Sequence, residues 1–344
     1  MRKLATIRII DEIRPIPNAD AIETAVVGGW QVVIRKGEFK AGERAVYCEI
    51  DSWMPHAIAP FLSKGSEPRE FGGVKGQRLR TITLRGQISQ GLLLPVSILG
   101  EPPAGGFPED LSGLLGIKLW EPQIPANIAG EARGNFPARV PKTDQERIQN
   151  LAENLTAWQG MSFEITEKLD GTSCTFFLDS GKQPDAFHAC GRNWDYLPDQ
   201  NNAFWKFAAD NELAARMENL GLAGFAIQGE FIGPGIQGNK YNLMRPDFFA
   251  FDIYDTNQGR YLLRDERMAL IEKLGLRHVP TVDPAFTFPE TISQPVAYIG
   301  TLLASADGPS ALNPARPREG IVLKALRDGG IHFKVISNRF LLKE

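Results

Sequence analysis

Short β-rich runs separated by turn residues fill the first hundred residues of this 344-residue chain. Examples are LATIRII, WQVVIRKG, ERAVYCEID and GLLLPV, and no helical pattern lies between them. Strands of this length and spacing favour a small barrel or sandwich. The first part of the chain is therefore predicted to be all β.

The pattern changes after a segment rich in glycine and proline. Residues 100–140 include GEPPAGGFPEDLSG and form the best candidate for a linker. Beyond it, helices are predicted in KTDQERIQNLAENLTAW, NAFWKFAADNELAARMENLG and RDERMALIEKLG, with strand-like runs between and after them. Strands punctuated by a few helices favour an α+β fold with a largely antiparallel sheet. A chain of this length accommodates two domains, which we place at residues 1–125 and 126–344.

Composition argues against several classes of protein. A hydrophobic fraction of 43% and a charged fraction of 23% are typical of globular proteins, and a net charge of −3 neither requires nor forbids a nucleic-acid partner. The first residues lack the apolar core of a signal peptide, and no run approaches the roughly 18 apolar residues that cross a bilayer. Three cysteines in no CxxC pattern argue against disulfides and zinc. We expect a cytoplasmic protein with no membrane partner.

The stretch TEKLDG, residues 166–171, places Lys168 between Glu167 and Asp170 and ends on Gly171. A lysine flanked by acids is common in solvated hairpins, so these letters alone do not establish a nucleophile. Strand-like runs on both sides place the lysine at a strand end or turn, where the glycine would lift it into a cleft. Its interpretation depends on the rest of the chain.

Later strand-like runs carry further charged and aromatic residues. In IQGEFIG, Glu230 is costly to bury unless it is paired, metal-bound or faces a site, and the alternative is a solvent-facing position. In DFFAFDIYD, one of Phe249 and Phe251 is expected in the core and the other can stack on a base. EGIVLK and HFKVIS contribute Glu319, Lys324 and Lys334.

This ordered set resembles the motifs of the covalent nucleotidyltransferase superfamily, which includes polynucleotide ligases and messenger-RNA capping guanylyltransferases. EKLDG, CGRNWD, QGEF, FFAFDIY, EGIVLK and FK match in order over most of residues 140–344. The segment IPNADAIETAVVGGWQVVIRKGEFKAGERAVYCEIDSWMP resembles an OB-type module akin to transfer-RNA-binding domains. Ligases with an OB domain usually carry it after the catalytic domain. The reversed order resembles the RNA ligase 5 family, typified by the Deinococcus RNA ligase.

The resemblance implies an α+β protein in which an N-terminal OB-type β-barrel module precedes an antiparallel-sheet nucleotidyltransferase domain. It also implies an ATP-dependent RNA ligase that uses Mg²⁺ or Mn²⁺. Lys168 would take AMP from ATP, AMP would move to a 5′-phosphate end, and a 3′-hydroxyl would attack that end. The implied substrate is a 3′-OH/5′-PO4 nick in a duplex with RNA on the 3′-OH side, sealed by a monomer.

The resemblance assigns roles to the remaining residues. Cations must surround the phosphates, and the candidates are Lys334, Lys324, Arg192 and Arg147. Carboxylates suited to a hydrated divalent ion are Glu230, Glu319 and Asp170. Asp170 is also a candidate for the ribose, Glu167 would offer its backbone to adenine, and Phe251 would stack on it. A neighbouring metal or lysine would lower the pKa of Lys168 and free its lone pair.

Three features need separate interpretation. Relatives often carry K-x-K in the last motif, where this chain has His332-Phe333-Lys334, so His332 substitutes in part, Lys324 reaches in, or the first lysine is dispensable. GPGIQG matches GxGxxG, but no helix-forming run follows, so a loop over the cleft is expected.

VKGQRLRTITLRG is expected to contact phosphates, with Arg78 and Arg80 on one strand face, or else to be a solvated edge. Its cations are Lys75, Arg78, Arg80 and Arg85.

Two other functions stay open at the level of the sequence. A DNA ligase or capping guanylyltransferase of the same superfamily is disfavoured by the domain order. A non-catalytic OB-fold RNA-binding protein with a degenerate second domain is disfavoured by the intact Lys168, Glu230, Glu319 and Lys334.

Overall fold

The computed structural model describes residues 3–63, 65–120, 131–181 and 186–342. The chain divides into two compact units. The first consists of Met1–Gln123, Val296–Gly300 and Leu341–Glu344, and the second of Ile124–Pro295 and Thr301–Phe340. The predicted boundary between residues 125 and 126 lies outside the described residues and stays a prediction.

Short strands form the first unit, as the turn-separated runs predict. They are β1 (Ala5–Ile9), β2 (Glu12–Pro15), β3 (Ile22–Val27), β4 (Trp30–Arg35), β5 (Arg44–Cys48), β6 (Ser52–Pro55), β7 (Arg69–Phe71), β8 (Val74–Arg78), β9 (Thr81–Leu84), β10 (Gln87–Gln90), β11 (Leu92–Pro95) and β12 (Lys118–Leu119). Hydrogen-bonded ladders follow the orders β1-β5-β11, β2-β3-β4, β9-β10 and β12-β6-β8-β7. Trp30 and Tyr47 are fully buried and stack in its core.

Two sheets form the second unit. Their strands are β13 (Ala132–Asn135), β14 (Glu146–Arg147), β15 (Ser162–Lys168), β16 (Thr172–Leu178), β17 (Phe187–Cys190), β18 (Trp194–Tyr196), β19 (Phe225–Ile232), β20 (Asp247–Asp255), β21 (Arg260–Tyr261), β22 (Arg277–His278), β23 (Thr281–Thr287), β24 (Gly320–Ala325) and β25 (His332–Ile336). One sheet runs β13-β18-β17-β16-β19-β20-β21, with β22 also paired to β20, and the other runs β14-β25-β24-β15-β23. Neighbours are antiparallel except for β14–β25 and β20–β22.

Helices follow two of the three predicted segments. The α-helices are α1 (Ala203–Asp210), α2 (Leu213–Asn219), α3 (Arg264–Lys273), α4 (Pro295–Ala306) and α5 (Asn338–Leu341). The predicted segment NAFWKFAADNELAARMENLG breaks into α1 and α2 at Glu212, whose backbone is left-handed at φ 50°. None of the described helices is long and apolar enough to cross a membrane.

The helix predicted at residues 142–158 is wrong. This segment forms β14 and two 3-10 turns, at Ile148–Asn150 and Ala152–Thr156. Arg147 pairs with Lys334 of β25, and Trp158 stacks on Phe333 with ring centroids 4.9 Å apart. Strand pairing and aromatic packing therefore override the helical spacing of the segment, because propensity is a weak prior against tertiary contacts.

Candidate active site

Strand register places the predicted nucleophile among cations. Lys168 is the last residue of β15 and lies opposite Gly320 of β24. Val322 of β24 pairs with Lys334 of β25, and Lys334 pairs with Arg147 of β14. Because side chains alternate between the faces of a strand, Lys168, Lys334 and Arg147 share one face of the five-stranded sheet.

Gly171 brings the second sheet onto the lysine. Its backbone N–H donates to the Glu230 carboxylate at 3.0 Å. A Cβ on this residue would lie 2.5 Å from the carbonyl oxygen of Phe231 and 2.5 Å from the side chain of Ile232. Since Gly171 does not have a positive φ, close approach to β19 explains the glycine. Glu230 is half-buried, and this contact holds its carboxylate beside the turn that follows Lys168; its role in the site stays a prediction.

Three carboxylates surround the Lys168 ammonium. Its Nζ donates to Glu319 Oε2 at 2.8 Å, and Glu230 and Asp170 act on it at longer range. Burial lowers the pKa of Lys168, but the attraction of these carboxylates outweighs burial and raises the pKa above its ordinary value. In the nucleotide-free protein, Lys168 is therefore held as an ammonium without a lone pair.

Burial raises the pKa of the carboxylates beside Lys168, whereas it lowers the pKa of the lysine. It raises the pKa of Glu230 to about 8, against the opposing effect of Lys168. Burial likewise raises the pKa of Glu319. Carboxylates this close to one another repel when ionised, so the Lys168 ammonium serves as the cation that holds them together.

Lys334, on the same sheet face as Lys168, has a lowered pKa. Burial is the main cause, and the positive charges of Lys168 and Arg147 add to it, so that the pKa falls to about 7. The sequence predicts that a neighbouring metal or lysine lowers the pKa of Lys168, and the net direction in the structure is the reverse. The difference arises because the attraction of Glu319, Glu230 and Asp170 for the Lys168 ammonium outweighs the effect of burial.

The donor set suits a hydrated divalent ion. Within the described ranges, no group of three or more His, Cys, Asp or Glu side chains stands ready to hold a metal. Glu230, Glu319 and Asp170 nevertheless surround one cation already, the Lys168 ammonium. Mg²⁺ and Mn²⁺ prefer oxygen ligands, and Mg²⁺ keeps several waters. The residues therefore fit an ion that completes its coordination with water and phosphate oxygens.

Glu167 and Asp170 are both engaged by neighbouring segments. The Glu167 carboxylate is buried and accepts the Ala311 N–H at 2.8 Å, and burial raises its pKa. The Glu167 backbone N–H donates to the Pro280 carbonyl, and the predicted contact of the Glu167 backbone with adenine stays a prediction. Asp170 forms an ion pair with Lys240.

Phe249 and Phe251, two of the aromatic residues of β20, differ in burial. Phe249 is buried and Phe251 is half-buried. Lys324 lies beneath Phe251, with its Nζ 5.5 Å from the ring centroid, and donates to the Phe251 carbonyl and to Asp252 at 2.7 Å. The predicted reach of Lys324 to a phosphate stays a prediction.

The ion pairs beneath Phe251 continue from β15 to α3. Glu164 of β15 pairs with Arg267 of α3, and burial lowers the pKa of Lys324 to about 8. His332 lies opposite Lys324, and burial lowers its pKa too. A neutral imidazole supplies no positive charge, which weakens the idea that His332 stands in for a lysine.

Arg192 lies at the exposed edge of the site. It follows β17, and its guanidinium donates to Asp144 at 2.7 Å. Asp144 is one of the charges that act on Lys334, so the pair adjoins the cationic face. Its predicted contact with the nucleotide stays a prediction.

Two residues of the site carry no signal in the sequence. Lys240 pairs with Asp170, and the Tyr241 hydroxyl accepts the Asp170 N–H at 2.6 Å. Both follow GPGIQG, which is a loop as expected and packs on the Asp170–Gly171 turn. A strand or helix period would mark such residues, and a loop has neither.

The basic segment of the first unit is only partly available to a ligand. Lys75 of β8 and Arg80 are exposed, and Arg85 occupies the β9–β10 turn at φ 51°. Arg78 instead donates to Asp51 and lies 3.8 Å from the ring centroid of Trp120. The expectation that Arg78 and Arg80 share a strand face is wrong, because β8 ends at Arg78 where the buried Leu79 turns inward.

Family models match both parts of the chain. A model described as an OB-fold domain matches residues 4–96, and a model described as RNA ligase matches residues 161–337. No match is found among curated proteins.

Solved structures of Naegleria gruberi RNA ligase resemble the whole chain. A lysine-to-methionine variant with AMP and Mn is 43% identical, with a TM-score of 0.83 over 100% of this chain and 99% of that one. A lysine-to-alanine variant with ATP and Mn is 43% identical, with a TM-score of 0.81 over 99% of each chain. The complex of that ligase with pyrophosphate is 43% identical, with a TM-score of 0.81 over 100% of this chain and 99% of that one.

These findings confirm the predicted fold class, an OB-fold module followed by a sheet-rich α+β nucleotidyltransferase domain. They also confirm the prediction of an enzyme rather than a non-catalytic RNA-binding protein. With its second unit matched by the ligase model and its full length matched at 43% identity, the chain belongs to the RNA ligase family of the nucleotidyltransferase superfamily.

Proposed function

We propose that this RNA ligase seals 3′-OH/5′-PO4 nicks in a duplex through a lysyl-AMP intermediate and an adenylylated 5′ end, with RNA on the 3′-OH side. The observation that carries the proposal is Lys168 held between metal-suited carboxylates and a row of phosphate-suited cations. ATP and a divalent ion are its cofactors, as the sequence predicts and as relatives solved with ATP, AMP and Mn bear out. An OB-fold module ahead of the ligase domain supports a place in the RNA ligase 5 group.

The first step requires the Lys168 amine. The ammonium first loses a proton to water, its nitrogen then forms a bond to the α-phosphorus of ATP while the bond from that phosphorus to pyrophosphate breaks, and the nitrogen loses a second proton to water. The ion pair with Glu319 must open first, because an ammonium has no lone pair. A bound divalent ion supplies positive charge that neutralises the triphosphate and competes for Glu319 and Glu230.

The cationic face then stabilises the charge on the phosphates. Lys334 and Arg147 lie on the same sheet face as Lys168, and Arg192 adjoins them. A triphosphate close to Lys334 favours its charged form, so binding recharges a lysine whose pKa is about 7 in the free protein. Phe251 stacks on the adenine and Asp170 binds the ribose or the metal shell.

The remaining steps transfer AMP and join the ends. An oxygen of the 5′-phosphate attacks the AMP phosphorus, the bond from that phosphorus to the Lys168 nitrogen breaks, and the nitrogen takes a proton from water. The 3′-hydroxyl oxygen then attacks the 5′ phosphorus, and AMP leaves with a proton passing to water. Exposed cations of the OB-fold unit, Lys75, Arg80 and Arg85, contact phosphates of the duplex without reading its sequence. Action as a cytoplasmic monomer stays a prediction of the sequence.

Labelling with radioactive ATP tests the proposal. The protein incubated with α-labelled ATP and Mn²⁺ should gain a covalent label that is absent in Lys168→Ala and retained in Lys206→Ala, whose lysine lies exposed on α1. An unlabelled wild-type protein would contradict the lysyl-AMP intermediate. Labelling by GTP in place of ATP would favour capping chemistry.

Synthetic nicks test the substrate. Two nicked duplexes that differ only in ribose or deoxyribose at the 3′-OH end should be sealed at different rates, the ribose form faster. Equal rates would overturn the requirement for RNA on that side, and sealing of single strands alone would overturn the nick.

A further inference from the structure

The loop of residues 233–242, which contains GPGIQG, packs on the turn that carries the nucleophile. Lys240 forms an ion pair with Asp170 Oδ2. The Tyr241 hydroxyl accepts the Asp170 N–H at 2.6 Å, and Gln237 Nε2 donates to the Gly171 carbonyl at 3.4 Å. One loop thus contacts the carboxylate, the amide and the next carbonyl of a single turn.

Lys240 is itself held in place from two other elements. Its Nζ lies 4.5 Å from the ring centroid of Phe340 on α5, and its carbonyl accepts Asn313 Nδ2 at 2.7 Å. The Lys240 and Asp170 side chains are only 30% and 17% exposed. An exposed lysine pair is weak because its flexible side chain must be ordered, and here the ordering is already supplied.

This arrangement bears on where the Asp170 carboxylate points. Asp170 lies two residues from Lys168, and its charge attracts the ammonium. Lys240 binds one Asp170 oxygen on the side of the loop, which fixes the rotation of the carboxylate. Carboxylates and imidazoles in a reaction site depend on such outer partners for their orientation.

We propose, resting on the ligase function above, that Lys240 is a positioning residue that acts through Asp170. It holds one carboxylate oxygen toward the 233–242 loop and directs the other oxygen to the bound nucleotide. Tyr241 and Gln237 fix the backbone of the same turn. The stretch GPGIQG therefore begins a loop that orients the Asp170–Gly171 turn next to Lys168.

A double-mutant cycle tests this role. Single-turnover transfer of AMP to Lys168 is followed against ATP concentration in wild type, Lys240→Met, Asp170→Asn and the double variant. Lys240→Met should slow the transfer by roughly 10- to 100-fold, the usual cost of removing an outer partner. Lys240→Arg should restore most of the rate. In the Asp170→Asn background, Lys240→Met should cause little further loss of rate.

Controls separate positioning from stability. Lys206→Met removes an exposed Lys–Asp pair on α1 and should leave the transfer rate unchanged. The melting temperature of Lys240→Met should stay close to that of wild type. An equal loss of rate in both Asp170 backgrounds, or a wild-type rate in Lys240→Met, would overturn the proposal.

Equilibrium binding of a non-hydrolysable ATP analogue over the same four proteins gives a second readout. The affinity losses should again be non-additive. If wild type takes no covalent label, the lysyl-AMP proposal fails, and this binding cycle alone decides the role of Lys240. Additive affinity losses would then count against it.

Discussion

The pKa values of two lysines in one site are shifted in opposite directions by their surroundings. Lys168 lies among three carboxylates that raise its pKa, whereas burial and neighbouring cations lower the pKa of Lys334 to about 7. At neutral pH the proposed nucleophile, Lys168, is charged and Lys334, the proposed phosphate ligand, is partly neutral. In the proposed reaction, ATP and its metal would reverse both conditions, because they would bring positive charge to the carboxylates and negative charge to Lys334.

Lys334 should therefore make ATP binding depend on pH. Its lowered pKa means that the ammonium is present below about pH 7 and is lost above it, so the affinity for ATP should fall as pH rises from 6 to 9. Lys334→Arg stays charged throughout and should remove this dependence. Both ATP affinities are measured without divalent ion, and taking the ratio of the Lys334→Arg affinity to the wild-type affinity cancels the titration of ATP itself. This ratio should rise by up to about tenfold per pH unit above the pKa of Lys334.

The matched variant Lys334→Met should bind ATP weakly at every pH. A parallel decline of affinity in wild type and Lys334→Arg would show that another group titrates.

At the scale of elements, the hairpin from β15 to β16 depends on one close approach. Gly171 leaves room for the backbone of β19, and its N–H holds Glu230 beside Lys168. The two sheets are thereby joined at the point where the proposed chemistry would take place. This requirement, rather than an unusual φ, explains the glycine of KLDG.

Gly171→Ala should consequently damage both stability and activity. The new Cβ would lie 2.5 Å from the Phe231 carbonyl, so the hairpin or β19 must shift, at a cost of about 1–3 kcal/mol for overpacking. Chemical denaturation measures the first effect, and lysine adenylylation should fall well beyond the fraction unfolded. Gly134→Ala is the control, since its Cβ would meet nothing within 4 Å. An unchanged rate in Gly171→Ala would contradict the argument.

The sequence predicts these elements unevenly, for physical reasons. Strands β15, β16, β19, β20, β24 and β25 are predictable because each combines apolar runs with turn residues, and the motif residues lie on or beside them. Residues 142–158 mislead because their apolar spacing is helical while the pairing partner, β25, is nearly two hundred residues away. Lys240 and Tyr241 are unpredictable, since only tertiary contact brings a loop to Asp170.

At the scale of the whole molecule, each unit has its own part in the proposed reaction. The first unit presents Lys75, Arg80 and Arg85 to solvent, whereas Arg78 is used internally by Asp51 and Trp120. Only exposed cations can exchange counterions for phosphates of a duplex. Binding of the nick and activation of ATP should therefore be separable.

Replacing Lys75, Arg80 and Arg85 with Gln should weaken nick sealing and leave lysine adenylylation unchanged. Each lost phosphate contact should reduce the slope of log affinity against log salt by about 0.9. Nick binding at several salt concentrations measures this slope. Arg78→Gln should instead lower the melting temperature of the protein, because it removes the Asp51 pair and the Trp120 contact. A triple variant with the wild-type salt slope would exclude this surface.

The ion pair between Lys168 and Glu319 has a further consequence for the life of the free enzyme. Primary amines with accessible lone pairs are consumed by aldehydes, activated esters and other electrophiles of metabolism. An amine stored as a cation between carboxylates is inert toward them. In the proposed reaction, the reactive amine arises when a metal-bound nucleotide displaces the carboxylates, so the free enzyme would already discriminate against such electrophiles.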